Sequence, residues 1–443
     1  MAGKIADSLH HHSMSRAAKA HADGSDEWDA AATYLHHLNI GPGEPCISEW
    51  AAAGLDLPNL HRMRADRLAR VRRQLELSDV GGVVVMDPMN IRYVSDTTNM
   101  QIWVMHNGAR YAWVSADRLI VWDYFGSEFL SGHNDLITEV RPAVGHTYFL
   151  GGPRQEEIAH RFAAELIEVM SQDCGPGAKV AIDQTSYWAY KDFEAAGFTI
   201  ESGQALMELA RAIKTPDEIT AMRCAAHACQ TTMDELQAAL TPGMTEREVW
   251  SMLHAGNIRR AGEWIETQIL ASGPRTNPWF QEASSRVIED GDLVAYDTDL
   301  VGAYGMMIDI SRTYRAGGGT PTAQQAATHA LAVEQIERNT ELMTAGRTFR
   351  ELTFDSFVPP VDEYRHYSCL FHGVGQCDEY PEIYFPRVWD DWGFDGVLEP
   401  GMVLTVESYV GPRAGGEGVK LENQILVTDD GPENLTPSSL DLV

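Results

Sequence analysis

Leu293-Val294-Ala295-Tyr296-Asp297-Thr298-Asp299 is an apolar run that ends in two carboxylates. Such a run reads as a strand, and a spacing of two along a strand puts Asp297 and Asp299 on one face, aimed at one ion. Further on, Ile308-Asp309-Ile310-Ser311-Arg312-Thr313 sets Asp309 inside a second apolar strand. A buried carboxylate is costly unless it is paired or binds a metal. One such aspartate would ordinarily be a turn or surface residue. Three at strand ends reverse that reading.

Outward from these strands, Phe371-His372-Gly373-Val374-Gly375 offers an imidazole in a glycine turn, where backbone can approach a site closely. Glu407 closes an apolar strand over 402–406, and Glu422 sits inside a strand over 419–427. Asp297, Asp299, Asp309, His372, Glu407 and Glu422 are then the candidate metal ligands. Oxygen-rich sites with one imidazole suit Mn, Fe, Co or Zn, and two such ions about 3.5–4 Å apart need bridging carboxylates. Cys369 and Cys377 bracket His372, but thiolates do not match so hard a site, and their expected role is packing.

Three regions flank this constellation. Residues 1–60 are polar and alanine-rich and read as an N-terminal extension. Residues 61–204 alternate helical and strand patterns, with a helix over 61–77, strands over 82–86, 111–115, 119–123 and 179–183, and a helix over 156–170. That alternation is an α/β domain. Residues 205–443 open on Thr215-Pro216-Asp217-Glu218, a capping box with proline at the first helical position. Thr245 with Glu248 and Thr322 with Gln325 repeat the box for two more helices. With strands over 267–271, 293–297, 306–310, 402–406 and 419–427, they predict an α+β layer on a curved antiparallel sheet.

The 443-residue chain is 44% apolar and 22% charged, which excludes a disordered, collagen-like or membrane-embedded protein. Thirty-four basic residues against 64 acidic ones leave a formal charge of −30, so nucleic acid is excluded as a partner. No stretch approaches the roughly 20 apolar residues of a membrane span. The start of the chain carries His10, His11 and His12, expected to be a solvated tail, and no apolar secretory core. The six cysteines show no C-x-x-C spacing and read as free thiols of a cytoplasmic protein.

The ordered set Asp, Asp, Asp, His, Glu, Glu resembles the creatinase, prolidase and methionine aminopeptidase superfamily. Matching phrases are Ser311-Arg312-Thr313, His372-Gly373-Val374-Gly375, Glu399-Pro400-Gly401-Met402 and Asp430-Gly431-Pro432-Glu433. The resemblance implies a creatinase-like N-terminal α/β domain followed by a pita-bread domain, a curved antiparallel sheet covered by helices. It also implies that Asp297, Asp309, His372, Glu407 and Glu422 hold two divalent metal ions.

The departures are informative. Peptidases of the superfamily carry a histidine after the Ala-Ser-Gly segment, where this chain reads Ala271-Ser272-Gly273-Pro274-Arg275-Thr276-Asn277-Pro278-Trp279. They carry another after the His-Gly turn, where Gln376-Cys377-Asp378-Glu379-Tyr380-Pro381 puts Asp378 instead. Asp299 is an extra acid where they have glycine. At these departures the chain is similar to the dimethylsulfoniopropionate lyases of marine bacteria. That resemblance implies cleavage of a small zwitterion to dimethyl sulfide and acrylate, iron as the metal with manganese or zinc as alternatives, and a homodimer.

Elimination removes a proton next to a carboxylate, and Asp378 is the candidate base. The sulfonium needs aromatic faces, and Trp103 and Tyr367 are the candidates. Three other readings compete, one of them a metal-free creatinase-like amidinohydrolase that the intact ligand set disfavours. An Xaa-Pro aminopeptidase or prolidase would use the same ligands but lacks both histidines here; a non-catalytic pita-bread module would be expected to lose ligands that this chain keeps.

Overall fold

In the strand Gly82–Val85, Val83 and Val85 enter one apolar core and Val84 another, the alternation of a sheet covered on both faces. The computed structural model describes residues 42–442 and divides them into two units, 60–211 on one side and 42–59 with 212–442 on the other. The run His10 to His12 and most of the expected extension over 1–60 lie outside the described residues.

The first unit is a six-stranded mixed sheet in the order Glu139–Pro142, Leu119–Asp123, Tyr111–Ser115, Gly82–Val85, Lys179–Ile182, Thr199–Ser202. Helices Leu60–Ser78 and Gly203–Arg211 cover one face through Leu68, Val71, Leu75, Leu206 and Met207. Helices Gln155–Cys174 and Tyr187–Ala195 cover the other through Phe162, Leu166 and Phe193. Because helix Gly203–Arg211 buries its apolar stripe here, the unit runs to 211 and not to 204.

The expected extension also needs correcting at its C-terminal end. Helix Cys46–Ala52 buries Cys46 and Trp50 beside Cys224 and Ala303 of the second unit. Trp50 Nε1 donates to Cys224 O at 2.9 Å. An indole satisfied in this way is a core residue.

In the second unit, strands Val403–Pro412 and Val419–Thr428 form the centre of the largest sheet, with Phe371–Val374 and Asp378–Ile383 on one flank and Gly431–Asn434 on the other. All pairings within it are antiparallel. Helix Ala323–Thr340 packs Ala332 and Ile336 into the same core as Leu404, Val406, Leu421 and Ile425. A second sheet pairs Leu293–Asp297 with Leu270–Ser272 and Ser311–Arg315. The expected capping boxes form at Thr215, Thr245 and Thr322, each hydroxyl accepting from the backbone N–H of the acid or amide three residues on.

Candidate metal centre

Strand register assembles the acids. Glu407 and Glu422 are direct cross-strand partners, as are Asp297 and Ser311. Two glutamates facing each other in a sheet repel, and both are buried. His372 pairs with Thr405, two positions from Glu407, so imidazole and glutamate share a face. His372 Nε2 lies 3.4 Å from Glu407 Oε1, 3.5 Å from Asp309 Oδ2 and 3.6 Å from Glu422 Oε1. Among the described residues, two groups have donor atoms close enough to hold an ion: Asp309, His372 and Glu422, and Asp297, Asp299 and Asp309. Asp309 belongs to both.

Four local expectations change. Strand Leu293–Asp297 stops at Asp297, and Asp299 has φ +38°. Its carboxylate reaches the site from a left-handed turn and accepts from the Thr267 hydroxyl, not by strand alternation. Asp309 sits in the break between Met307–Ile308 and Ser311–Arg315. There the Thr298 hydroxyl donates to Ile308 O at 2.8 Å and accepts from Ile310 N at 3.0 Å, pinning the residues on either side. His372 is in the strand Phe371–Val374 and not in a turn, and Glu407 is mid-strand. Gly373 serves close packing: a Cβ there would stand 2.5 Å from Tyr380 O.

Lys420 was not singled out by the sequence reading. Its ammonium is fully buried, 2.7 Å from Glu407 Oε2, 3.0 Å from Glu422 Oε2 and 3.3 Å from Asp297 Oδ2. It also donates to Ser311 Oγ at 2.6 Å. A signal was present, since Lys420 precedes Glu422 by two in the same strand and so shares its face. The five carboxylates against one ammonium leave four negative charges, the number that two divalent cations neutralise.

The donors fit such ions. Asp309 Oδ1, Glu407 Oε1 and Glu422 Oε1 are buried with no hydrogen-bond partner among the described residues, a state that a bound cation relieves. Burial pushes Asp297 up to about 6, against the pull of Lys420. Burial and then Glu422 push Glu407 up to about 8. Asp299 and Asp309 rise well above the usual carboxylate range through burial and neighbouring acids. Burial opposes the charge of Glu422 too, but Lys420 and His372 hold it low.

This sets a pH test. An acid raised in the fold keeps its proton longer than in the unfolded chain, so stability falls as pH climbs toward the folded value. Chelator-stripped protein is expected to lose thermal stability from about pH 5 to about pH 8 as Asp297 and Glu407 ionise. Glu422, lowered in the fold, is ionised throughout that window and adds no slope. Metal-loaded protein should lack this loss, so the gap in Tm widens with pH; parallel curves in scanning fluorimetry would rule out metal at these acids.

Asp378 opens the strand Asp378–Ile383. Its side chain is 57% accessible, and Oδ1 lies 3.5 Å from His372 Nδ1. Partial desolvation, opposed by His372 and reinforced by Glu422 and Glu379, raises its pKa. Glu379 points the other way, buried against Lys214 at 2.9 Å. Tyr367 is half-buried, with Lys420 Nζ 4.4 Å from its ring centroid. Trp103 belongs to the first unit, where its ring meets Tyr124 and Phe149 edge-on. Cys369 is buried, Cys377 is half-buried, and neither belongs to the two ion-holding groups.

Comparison with known proteins places this geometry. Residues 220–429 match the model of metallopeptidase family M24. The chain is 43% identical to dimethylsulfoniopropionate lyase DddP of Roseovarius nubinhibens, covering 92% of this chain and 93% of that protein. It is 39% identical to the DddP of Roseobacter denitrificans, over 94% and 95% of the two chains. An Xaa-Pro dipeptidase structure from Bacillus anthracis superposes with a TM-score of 0.68 at 24% identity, over 86% of this chain and 99% of that one. The fold is the pita-bread fold, as expected.

Proposed function

Because the chain belongs to the dimethylsulfoniopropionate lyase DddP family, we propose that it cleaves dimethylsulfoniopropionate to dimethyl sulfide and acrylate. The observation that carries this reading is an accessible carboxylate, Asp378, standing over the acid cluster where peptidases of the fold resemblance carry an imidazole.

Asp297, Asp299, Asp309, His372, Glu407 and Glu422 would hold two divalent cations, iron in our reading with manganese or zinc as alternatives. When bound, these ions supply Lewis-acid stabilisation of the charge that develops on the substrate carboxylate. Asp378 takes the proton from the carbon next to that carboxylate. The C–H electron pair becomes the carbon–carbon double bond, the C–S bond breaks, and its electrons leave with sulfur as neutral dimethyl sulfide. Asp378 then returns its proton to solvent, for which its exposure suits it. Tyr367, beside the cluster, offers an aromatic wall to the sulfonium. Trp103 keeps the same role on the sequence argument alone.

We further propose a homodimer in the cytoplasm. All six cysteines are free thiols, as in a reducing compartment. No helix among the described residues is long and apolar enough to cross a membrane. On the first unit, Phe125 and Phe149 are each 70% exposed near Trp103, and Ile102 and Met105 are exposed beside them. Apolar exposure on this scale suits a protein interface.

Purified protein should release dimethyl sulfide from dimethylsulfoniopropionate in headspace gas chromatography and leave Xaa-Pro dipeptides intact. Dipeptide hydrolysis without sulfide would replace this reading with the peptidase one.

A further inference from the structure

We propose that Lys214 and Glu379 are positioning residues, a buried ion pair that fixes the stretch of backbone from which Asp378 meets the substrate; the inference rests on the lyase reading. Asp378 and Glu379 are the first two residues of the strand Asp378–Ile383, and consecutive strand residues point to opposite faces. Asp378 faces out and is mostly accessible, while Glu379 turns into the interior. Among the described residues the Asp378 carboxylate has no hydrogen bond, and His372 Nδ1 lies 3.5 Å away, long for one. Its aim is therefore set by the backbone beneath it.

That backbone is anchored through Glu379. Glu379 Oε2 lies 2.9 Å from Lys214 Nζ, with both side chains buried. Glu379 Oε1 accepts from Gln376 N at 2.9 Å. The second bond spans Cys377 and Asp378, so Asp378 stands inside a closed loop. The same turn is pinned at Gly375, whose N–H donates to Cys377 O at 3.0 Å and whose carbonyl accepts from Met307 N at 2.8 Å. A Cβ on Gly375 would collide with the Glu379 carboxylate, so the turn is packed down on its own anchor. Met307 stands two residues before Asp309, and the loop that carries Asp378 is thereby tied to the segment that carries a candidate ligand.

The other end of the pair is rigid. Lys214 N donates to Gly401 O at 2.8 Å, Ile213 bridges to Met402, and Thr215 caps the 24-residue helix Pro216–Ala239. A buried ion pair is often no more stabilising than apolar residues filling the same space, so stability alone gives no reason for one here. Charge-assisted bonds on both oxygens of one carboxylate fix its direction as well as its place. An apolar contact would not hold the neighbouring Asp378 to one orientation in that way.

The test uses full-length, metal-loaded protein and the variants Lys214→Met, Glu379→Gln and the double change Lys214→Met with Glu379→Leu. Each single variant should keep its metal and lower kcat for dimethylsulfoniopropionate about a hundredfold, the loss that a misplacement of about 1 Å produces, with KM little changed. In an Asp378→Ala background, Lys214→Met should add no further loss, because it acts through Asp378. The double change should recover Tm, since neither charge is left buried alone, but not kcat. Unchanged kcat in Lys214→Met, recovery of kcat along with Tm, or a full further loss on top of Asp378→Ala would make the pair purely structural and overturn the proposal. Amide hydrogen exchange separates this inference from the lyase reading. Lys214→Met should lose protection over residues 376–379. If wild type releases no dimethyl sulfide, the lyase reading fails, while that lost protection would still support the anchor. Equal protection in both proteins would sink it.

Discussion

Asp378→Ala is expected to retain full metal content and to lose lyase turnover by about a thousandfold, the middle of the range for a positioned general base. The residue belongs to neither ion-holding group, and its side chain is mostly accessible while the candidate ligands are buried. Removing it leaves the charge balance of the buried cluster intact. Elemental analysis beside headspace chromatography reads both quantities on one sample. Asp378→Asn should match alanine, because it keeps the shape and hydrogen bonding but cannot accept a proton. Near-normal turnover in either variant would move the base elsewhere; loss of metal would make Asp378 a ligand.

The second large effect concerns stoichiometry. Asp309 is the one residue common to both ion-holding groups, whereas His372 belongs to one and Asp299 to the other. Asp309→Ala should therefore lose both ions, with turnover below detection. His372→Ala and Asp299→Ala should each retain about one ion, if each variant leaves the other group whole. Plasma mass spectrometry on desalted protein decides this. Asp309→Ala holding two ions per chain would mean that the groups do not share it.

Much of this site was legible in the residues because strand chemistry is legible. An apolar run interrupted by an acid is costly unless the acid is used, and that rule located Asp297, Asp309, Glu407 and Glu422. Helix starts were equally plain, since a threonine and a glutamate three apart satisfy orphan N–H groups wherever they occur.

What failed to show was set by contacts distant in sequence. Asp299 enters the cluster from a left-handed turn, which a periodicity rule cannot see. His372 was read as a turn residue because glycines flank it; Gly373 lies within a strand, where Tyr380 O leaves no room for a side chain. Lys420 was overlooked for a different reason. A lysine in a strand ordinarily marks a solvated edge, and only the register that sets Glu407 against Glu422 shows that this one is interior. Trp50 escaped because the residues before it look like a tail, and its partner Cys224 lies far along the chain.

The opposition of Glu407 and Glu422 across the sheet bears on how a newly synthesised chain matures. Those two strands must pair for their acids to meet, and like charges in register would hold them apart. Lys420 rides on the same hairpin, one residue from Leu421 and within reach of both glutamates. The hairpin thus brings its own counter-ion into assembly. Metal binding is then open to a chain that has already folded.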